Sequence, residues 1–529
     1  MPQLETEPDT SWMQPWEKWA WERIRAGEAA DFEKVPVEMR GTRDAEKASI
    51  ASPVRSRDGA TYELNETHDW PEWQTISSAF VRRIIREEQF KSERQTNRFT
   101  IISAVIVGDI DFECEVIFGT LEFRFCHFSD HLVLRGASVS GDIFLAGCYF
   151  AREILAGRLR CKGTIFLSNG SCFANGVNLL DSEIDGNLNC NGCVFESAAN
   201  DYSLSADRSR IRGNIFLNRG ATFSGCVSFS GAFIGGQAQL WEGEFNGRVD
   251  LSAVHLVGEL RLEELTLGMP ASKWGPDATL LLRNAKIGAF QGSLDAWRTQ
   301  DGFVKRNLDG LSVARLSGGV GGASLDRASP EDLIRWLEKD IIHHGPPGSF
   351  SPSPYVAFAS ALEDAGASTR ARKVRISLEK RVTSSLRWFS FSAIRKIWRR
   401  FVLSPISAYG YEPSRVIWWF AGVVIVFGAA GLSWEILSQP EYAIPSLRDA
   451  AGWLGFSFET ALPIIELDPV NDTFLEDRFG VGEDAHGNKL YEDLPDGLRA
   501  LFVLERLLGL VILSVLIAGL SGWAETRGK

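Results

Sequence analysis

The sequence predicts a mainly β protein: a parallel β-helix of about 22 residues per coil, then an α-helical hairpin and a two-helix transmembrane module. Three observations predict it. Glycines recur in one phase between Gly108 and Gly258, with steps of 11 residues from Gly108 to Gly119 and from Gly236 through Gly247 to Gly258. All eight cysteines lie inside that stretch. Two uncharged segments of 19 and 18 residues close the chain.

The glycine phase is carried by Ile106-Val-Gly108-Asp-Ile110, Phe118-Gly119-Thr-Leu121, Val139-Ser-Gly141-Asp-Ile143 and Ile184-Asp-Gly186-Asn-Leu188. It continues in Ile211-Arg-Gly213-Asn-Ile215, Ile234-Gly-Gly236, Phe245-Asn-Gly247-Arg-Val249 and Leu256-Val-Gly258-Glu-Leu260. Self-similarity at a short fixed period marks a solenoid. Each string alternates apolar and polar, so alternate side chains point inward. The glycines are read as turn positions, and two 11-residue units make one coil. Insertions near Asn175 and from Ser197 to Ser203 break the phase and are expected at corners.

In chain order, residues 1–97 are expected to be a helical region and cap. Met1 to Thr10 is polar and acidic, so no signal peptide is expected. Trp12, Trp16, Trp19, Trp21 and Ile24 suggest an amphipathic helix, either packed on a neighbouring domain or lying in a membrane interface. A helix over about 77–90 is expected to cover the open end of the solenoid, whose strand edges need protection. Residues 98–290 are the repeat and 291–328 a linker that includes the glycine-rich Gly318 to Ala323. That loop lacks the strand-to-helix context of a dinucleotide site. Residues 329–400 hold helices starting at Ser329-Pro330 and Ser353-Pro354, then a basic run. Within it Arg395, Lys396, Arg399 and Arg400, with Arg415 beyond, are expected to sit on anionic headgroups.

Residues 401–529 form the membrane module, with spans over about 416–434 and 507–524. The stretch 433–500 between them holds 14 Asp or Glu against 4 Lys or Arg, a net charge of −10. The Lys and Arg bias places both termini in the cytoplasm of a bacterial inner membrane and the loop (435–506) outside or re-entrant. Inside the loop, residues 450–465 are apolar but too short to span; they are read as a half-membrane helix or an exterior one. Glu459, Glu466 and Asp468 are candidate pore or loop acids, because carboxylate rings select cations.

The overall net charge of −12 argues against nucleic acid as a partner. Cys190-Asn-Gly-Cys193 stands alone without a second pair at zinc spacing, and buried thiols suit a reducing cytosol. No catalytic, cofactor or metal residue is assigned.

Taken with "LDGLSVARL" at Leu308–Leu316, "SPSPYVAFASALEDAG" at Ser351–Gly366, "AYGYEPSRVIWW" at Ala408–Trp419 and "LLGLVILSVLIAGLSG" in the second span, the repeats resemble a bacterial family of repeat-bearing membrane proteins. Some members of it carry the label membrane-associated oxidoreductase. The resemblance covers about residues 70–529. It implies a pentapeptide-like right-handed β-helix joined to a two-span module. The tail is also similar to the pore module of two-span ion channels, with "ERLLGL" at Glu505–Leu510. The channels' glycine-tyrosine-glycine filter is replaced here by Pro463-Ile-Ile-Glu-Leu-Asp-Pro469. The expected function is a non-enzymatic, membrane-anchored scaffold or sensor whose repeat surface binds a protein. The alternatives are a homo-oligomeric channel gated by the solenoid and a membrane-associated oxidoreductase.

Overall fold

A computed structural model describes residues 8–40, 71–196, 202–263, 271–318, 324–342, 350–385, 398–412, 414–438, 446–462 and 496–527. The chain divides into two compact units, residues 1–374 and 375–529.

The first unit is a parallel β-solenoid of about nine turns, roughly 23 residues each. One coil runs Thr120–Arg124, His127–Phe128, Leu132–Val133 and Ser138–Val139, then returns to Ile143–Ala146 above its start. Ile143 pairs with Leu121 below and Ile165 above, a step of 22 each way. Four stacks of short strands result. The long strand His255–Arg261 runs through a corner and joins two of them. Insertions fall at corners, as expected. The extra residue of the third coil lies between Phe166 and Cys172, slightly earlier than Asn175. The larger one falls between Phe195 and Tyr202.

The core is stacked in columns, because inward residues of successive coils lie in register. In one column Phe128, Phe150, Phe173, Phe195, Phe223, Phe245 and Trp274 stack ring on ring, with centroids 4.4–5.3 Å apart. Seven of the eight cysteines are buried. Cys126, Cys148 and Cys193 share a corner column with Ser171 and Ala221, where only small side chains fit.

The corners are of two kinds. Those between the first and second strands, and between the third and fourth, place a residue in the left-handed region. Gly136, Arg158, Asp181, Arg208, Gly231 and Ala253 do so along one column, with φ from 54° to 69°. The predicted glycines lie mostly at the other kind. Gly141, Gly186, Gly213, Gly236 and Gly258 have ordinary φ and stack directly over one another with Gly119 and Gly163. From Gly163 on, each N–H bonds the carbonyl below, as Gly186 to Gly163 at 3.1 Å and Gly213 to Gly186 at 3.0 Å. A Cβ at Gly186 would sit 2.6 Å from that carbonyl oxygen. Where φ is ordinary, close approach rather than left-handed backbone is what requires glycine; all of them sit where the chain turns, and Gly108 and Gly119, at φ 87° and 90°, are left-handed as well. Gly108 and Gly247 belong to the opposite corner, where Gly247 lies against the Gly225 carbonyl.

Both ends are covered. At the start, Ala30–Asp31 pairs with Ile101–Ile102 and Thr75–Ser77 with Val105–Val107. Helix α1 (Pro15–Arg25) buries Trp19, Trp21 and Ile24 in this cap, so the tryptophans pack on the domain and not in a membrane interface. Buried Glu17 ties the cap together, accepting from the N–H of Gln14 at 3.0 Å and from the N–H and Oγ of Ser77 at 3.0 and 2.9 Å. Helix α2 (Ser78–Arg86) covers strand Ile110–Asp111, with α3 (Glu88–Lys91) following.

At the far end, residues 291–318 are not a linker, while residues 319–323 of the glycine-rich stretch lie outside the described residues. Lys305–Asn307 and Ser312–Ser317 extend the solenoid in parallel register. The repeat there had lost its spacing after steps of 30 or more, such as Leu260 to Phe290, and so escaped the periodicity. Helices α4 (Pro330–Glu338), α5 (Ser353–Asp364) and the start of α6 (Ser368–Ser385) follow. Trp297, Trp336, Phe290 and Phe358 form the closing aromatic cluster.

In the second unit, a turn at Trp398–Leu403 and α7 (Ser404–Ser407) lead to α8 (Ser414–Ser438), α9 (Leu447–Ala461) and α10 (Asp496–Arg527). Two stretches, Ser414–Leu437 and Asp496–Ile517, are long and apolar enough to cross a membrane, with mean hydropathy 2.0 and 2.4. The second begins eleven residues before the expected Leu507. Glu505 and Arg506, which the expected loop 435–506 included, lie inside it.

Candidate functional site

The polar chemistry of the second unit converges where α8, α9 and α10 meet. Small residues let the helices approach. On α8, Gly431 lies against Trp453 and Gly428 against Leu454; on α10, Gly509 lies against Ala461. The order of contacts fixes the directions. Along α9, Trp453, Leu454, Ser457 and Phe458 meet Gly431, Gly428, Val424 and Phe420 of α8, so these two run antiparallel. Trp453, Ser457 and Ala461 meet Phe502, Glu505 and Gly509 of α10, so those two run parallel. Residues 450–465 were read as a half-membrane or exterior helix; through Ala461 they form a helix packed on both span-length helices.

At the centre, Ser457 Oγ lies 2.9 Å from the Val424 carbonyl oxygen and hydrogen-bonds the Glu505 carboxyl through Oε1. Glu505 is 0% exposed, and its Oε2 has no hydrogen-bond partner among the described residues. Nearer the C-terminal end of α8, Glu435 accepts the Trp453 indole N–H at 2.6 Å.

Of the predicted acids, Glu459 is half-buried on α9; Glu466 and Asp468 lie outside the described residues, as do Arg395 and Lys396. Arg399, expected on headgroups, is largely buried: it pairs with Glu379 and bonds Thr383 Oγ1 at 3.2 Å. Arg400 is exposed, and Arg415 pairs with Glu412. Glu505 entered the sequence reading only as the start of the channel-like string Glu505–Leu510 and as part of the loop 435–506. The signal that could have singled it out is an ionisable residue within an apolar helical run.

The solenoid carries a second candidate surface that the periodicity reading passed over. Arg158, Arg160 and Lys162 are exposed on one coil; Asp181, Glu183 and Asp185 on the next; Arg208, Arg210 and Arg212 on the third. Register places Glu183 between Arg160 and Arg210. Asp181 pairs with Arg208 at 2.8 Å, whose hydrogen bond holds its carboxyl below the usual range, and Asp185 pairs with Arg212 at 3.3 Å. The signal was legible as three alternating charged triplets. At the end of the solenoid a groove of about 710 Å³ is lined by Trp274, Arg298, Asp301, Lys305 and Asp340 among others.

The buried thiols are chemically quiet. Burial pushes the thiols of Cys190 and Cys193 up, and that of Cys161 up to about 12, so little nucleophilic thiolate forms at neutral pH. Among the described residues no group of three or more His, Cys, Asp or Glu is placed to hold a metal ion. Comparison of the chain with protein-family models, with curated proteins and with solved structures finds no match.

Proposed function

We propose that this is a membrane-anchored scaffold: α8 and α10 cross the bilayer, and the solenoid offers its surface to a protein partner in the cytosol. The observation that carries it is the pairing, in one chain, of a solenoid covered at both ends with apolar helices whose large side chains are uncovered. Trp418 is 79% exposed, Leu437 83% and Val426 64%, an arrangement suited to lipid rather than water. The Lys and Arg bias supports cytoplasmic termini, and a bacterial inner membrane fits that orientation. The three charge bands are the surface on which a partner would dock, since complementary charge sets register and selects partners.

The test uses the full chain with a photo-crosslinker at position 160. A single specific adduct that disappears in Glu183→Lys, with alkaline-resistant membrane retention unchanged, supports the reading. An adduct pattern indifferent to Glu183→Lys removes the charge bands as the docking surface.

A second reading is a channel-like homo-oligomer in which the solenoid controls conduction. It is favoured by one observation, the packing of α9 antiparallel to α8 and parallel to α10, the order of a span, a half-helix and a span. Two spans cannot enclose a pore alone. A monomeric mass for the detergent-solubilised protein removes this reading, and a closed oligomer makes ion flux the next assay.

A further inference from the structure

The hydrogen bonds around Ser457 hold more than a structural tie. Its hydroxyl has one proton to give. It faces two acceptors, the Val424 carbonyl oxygen, which can only accept, and the Glu505 carboxyl. An ionised Glu505 also only accepts, and one hydroxyl proton cannot serve both. A protonated Glu505 resolves the conflict: its O–H donates to Ser457 Oγ, and the Ser457 O–H donates to the Val424 carbonyl. The unpartnered Oε2 agrees with this. As a neutral carbonyl oxygen it is tolerable in a buried site, whereas a carboxylate there lacks the partners that a buried charge demands.

Position adds a second argument. Val424 lies near the middle of the span-length stretch Ser414–Leu437. The contact through Ser457 therefore sets Glu505 level with the middle of α8, where ionised side chains are most costly.

We propose that Glu505 is a proton-binding site of the helix unit, and that its proton completes the chain Glu505–Ser457–Val424 linking α10, α9 and α8. This rests on the reading of α8 and α10 as membrane-crossing. Loss of the proton breaks the Glu505 O–H bond, with the proton passing to hydroxide or a buffer base. The carboxylate and the Val424 carbonyl then compete for one hydroxyl, so ionisation loosens the half-helix α9 from one neighbour. The other titratable groups on elements packed here are Arg399, Arg400, Glu412, Arg415 and Glu435; Arg448, Asp449 and Glu459; and Asp496, Arg499, Arg506, Glu525 and Arg527. Among the described residues, the hydrogen-bond partner of Glu505 is Ser457 and no ion pair reaches its carboxyl. Arg399, Arg415 and Glu435 are engaged with Glu379, Glu412 and Trp453.

The experiment is infrared difference spectroscopy of the full chain in phosphatidylethanolamine–phosphatidylglycerol vesicles, comparing wild type, Glu505→Gln and Ser457→Ala at neutral pH. The expected result is a protonated-carboxyl stretch, shifted by deuterium, that is lost in Glu505→Gln and moves in frequency in Ser457→Ala. Loss of a carboxylate stretch in Glu505→Gln, or no loss of any carboxyl band, overturns the proposal. Should Glu505→Gln fail to fold, Ser457→Ala decides: a moved protonated band supports the site, and an unmoved spectrum overturns it. Alkaline extraction of the same vesicles separates the two claims, since release of the protein condemns the membrane reading itself, whatever the carboxyl state.

Discussion

At the Gly163, Gly186, Gly213 and Gly236 corner of the solenoid, each glycine N–H finds its acceptor one coil away. In α8 and α10 the same groups are satisfied inside the helix. The contrast decides where each region is vulnerable. A solenoid residue acts through the residues directly above and below it, so its column position sets its importance. In the helix unit the backbone needs no neighbour. What joins the helices is small residues at crossing points and a few buried polar side chains, such as Ser457 and Glu505.

Predictions sharpen this contrast within the solenoid. The largest effect is expected from the aromatic column. Phe173→Ala, fully buried between Phe150 and Phe195, should cost about 3–5 kcal/mol in denaturant unfolding. A cost below 1 kcal/mol would mean that the column is not close-packed. Next comes a pH effect. Burial beside Tyr149 lowers the His127 pKa to about 4, below its ordinary 6.5. The neutral ring is therefore favoured by folding. Its contribution is fully present above about pH 6.5 and is lost as pH falls toward 4, by up to about 3 kcal/mol. His127→Phe keeps the stacking and should flatten that part of the stability profile relative to wild type.

The two kinds of corner supply the finer comparison. Gly213→Ala places a Cβ 2.5 Å from the Gly186 carbonyl and the Asn187 side chain, and should cost about 1–3 kcal/mol through forced backbone shifts. Gly231→Ala, at φ 69° with its nearest neighbour 3.6 Å away, carries only the left-handed penalty of about 1 kcal/mol. The smallest effect is the reverse change. Ala253→Gly, at φ 55°, should fall within about 0.5 kcal/mol of wild type, because relief of strain is offset by added freedom of the unfolded chain. Equal costs for Gly213→Ala and Gly231→Ala would dissolve the distinction between the corners.

Much of the solenoid was legible because its period repeats: the coil length, the corner insertions and the need for an end cap all follow from one phase. What the phase did not reveal was the reason for each glycine. Gly119 and Gly186 share one phase, yet the first is left-handed at φ 90° and the second has ordinary φ and is fixed by close approach to the coil beneath. The strands at 305–307 and 312–317 went unread because the preceding insertion hid the period. The polar centre of the helix unit was illegible for a different reason. Glu505 owes its position to Ser457, 48 residues earlier, and Ser457 to Val424, 33 earlier still. No local pattern encodes a contact between three helices.

The most direct test of the anchored-scaffold account is alkaline carbonate extraction of membranes carrying the full chain. Retention in the bilayer pellet, alongside a known integral protein, is the predicted result. Quantitative release into the supernatant would contradict it and reassign α8 and α10 to helices covered by protein.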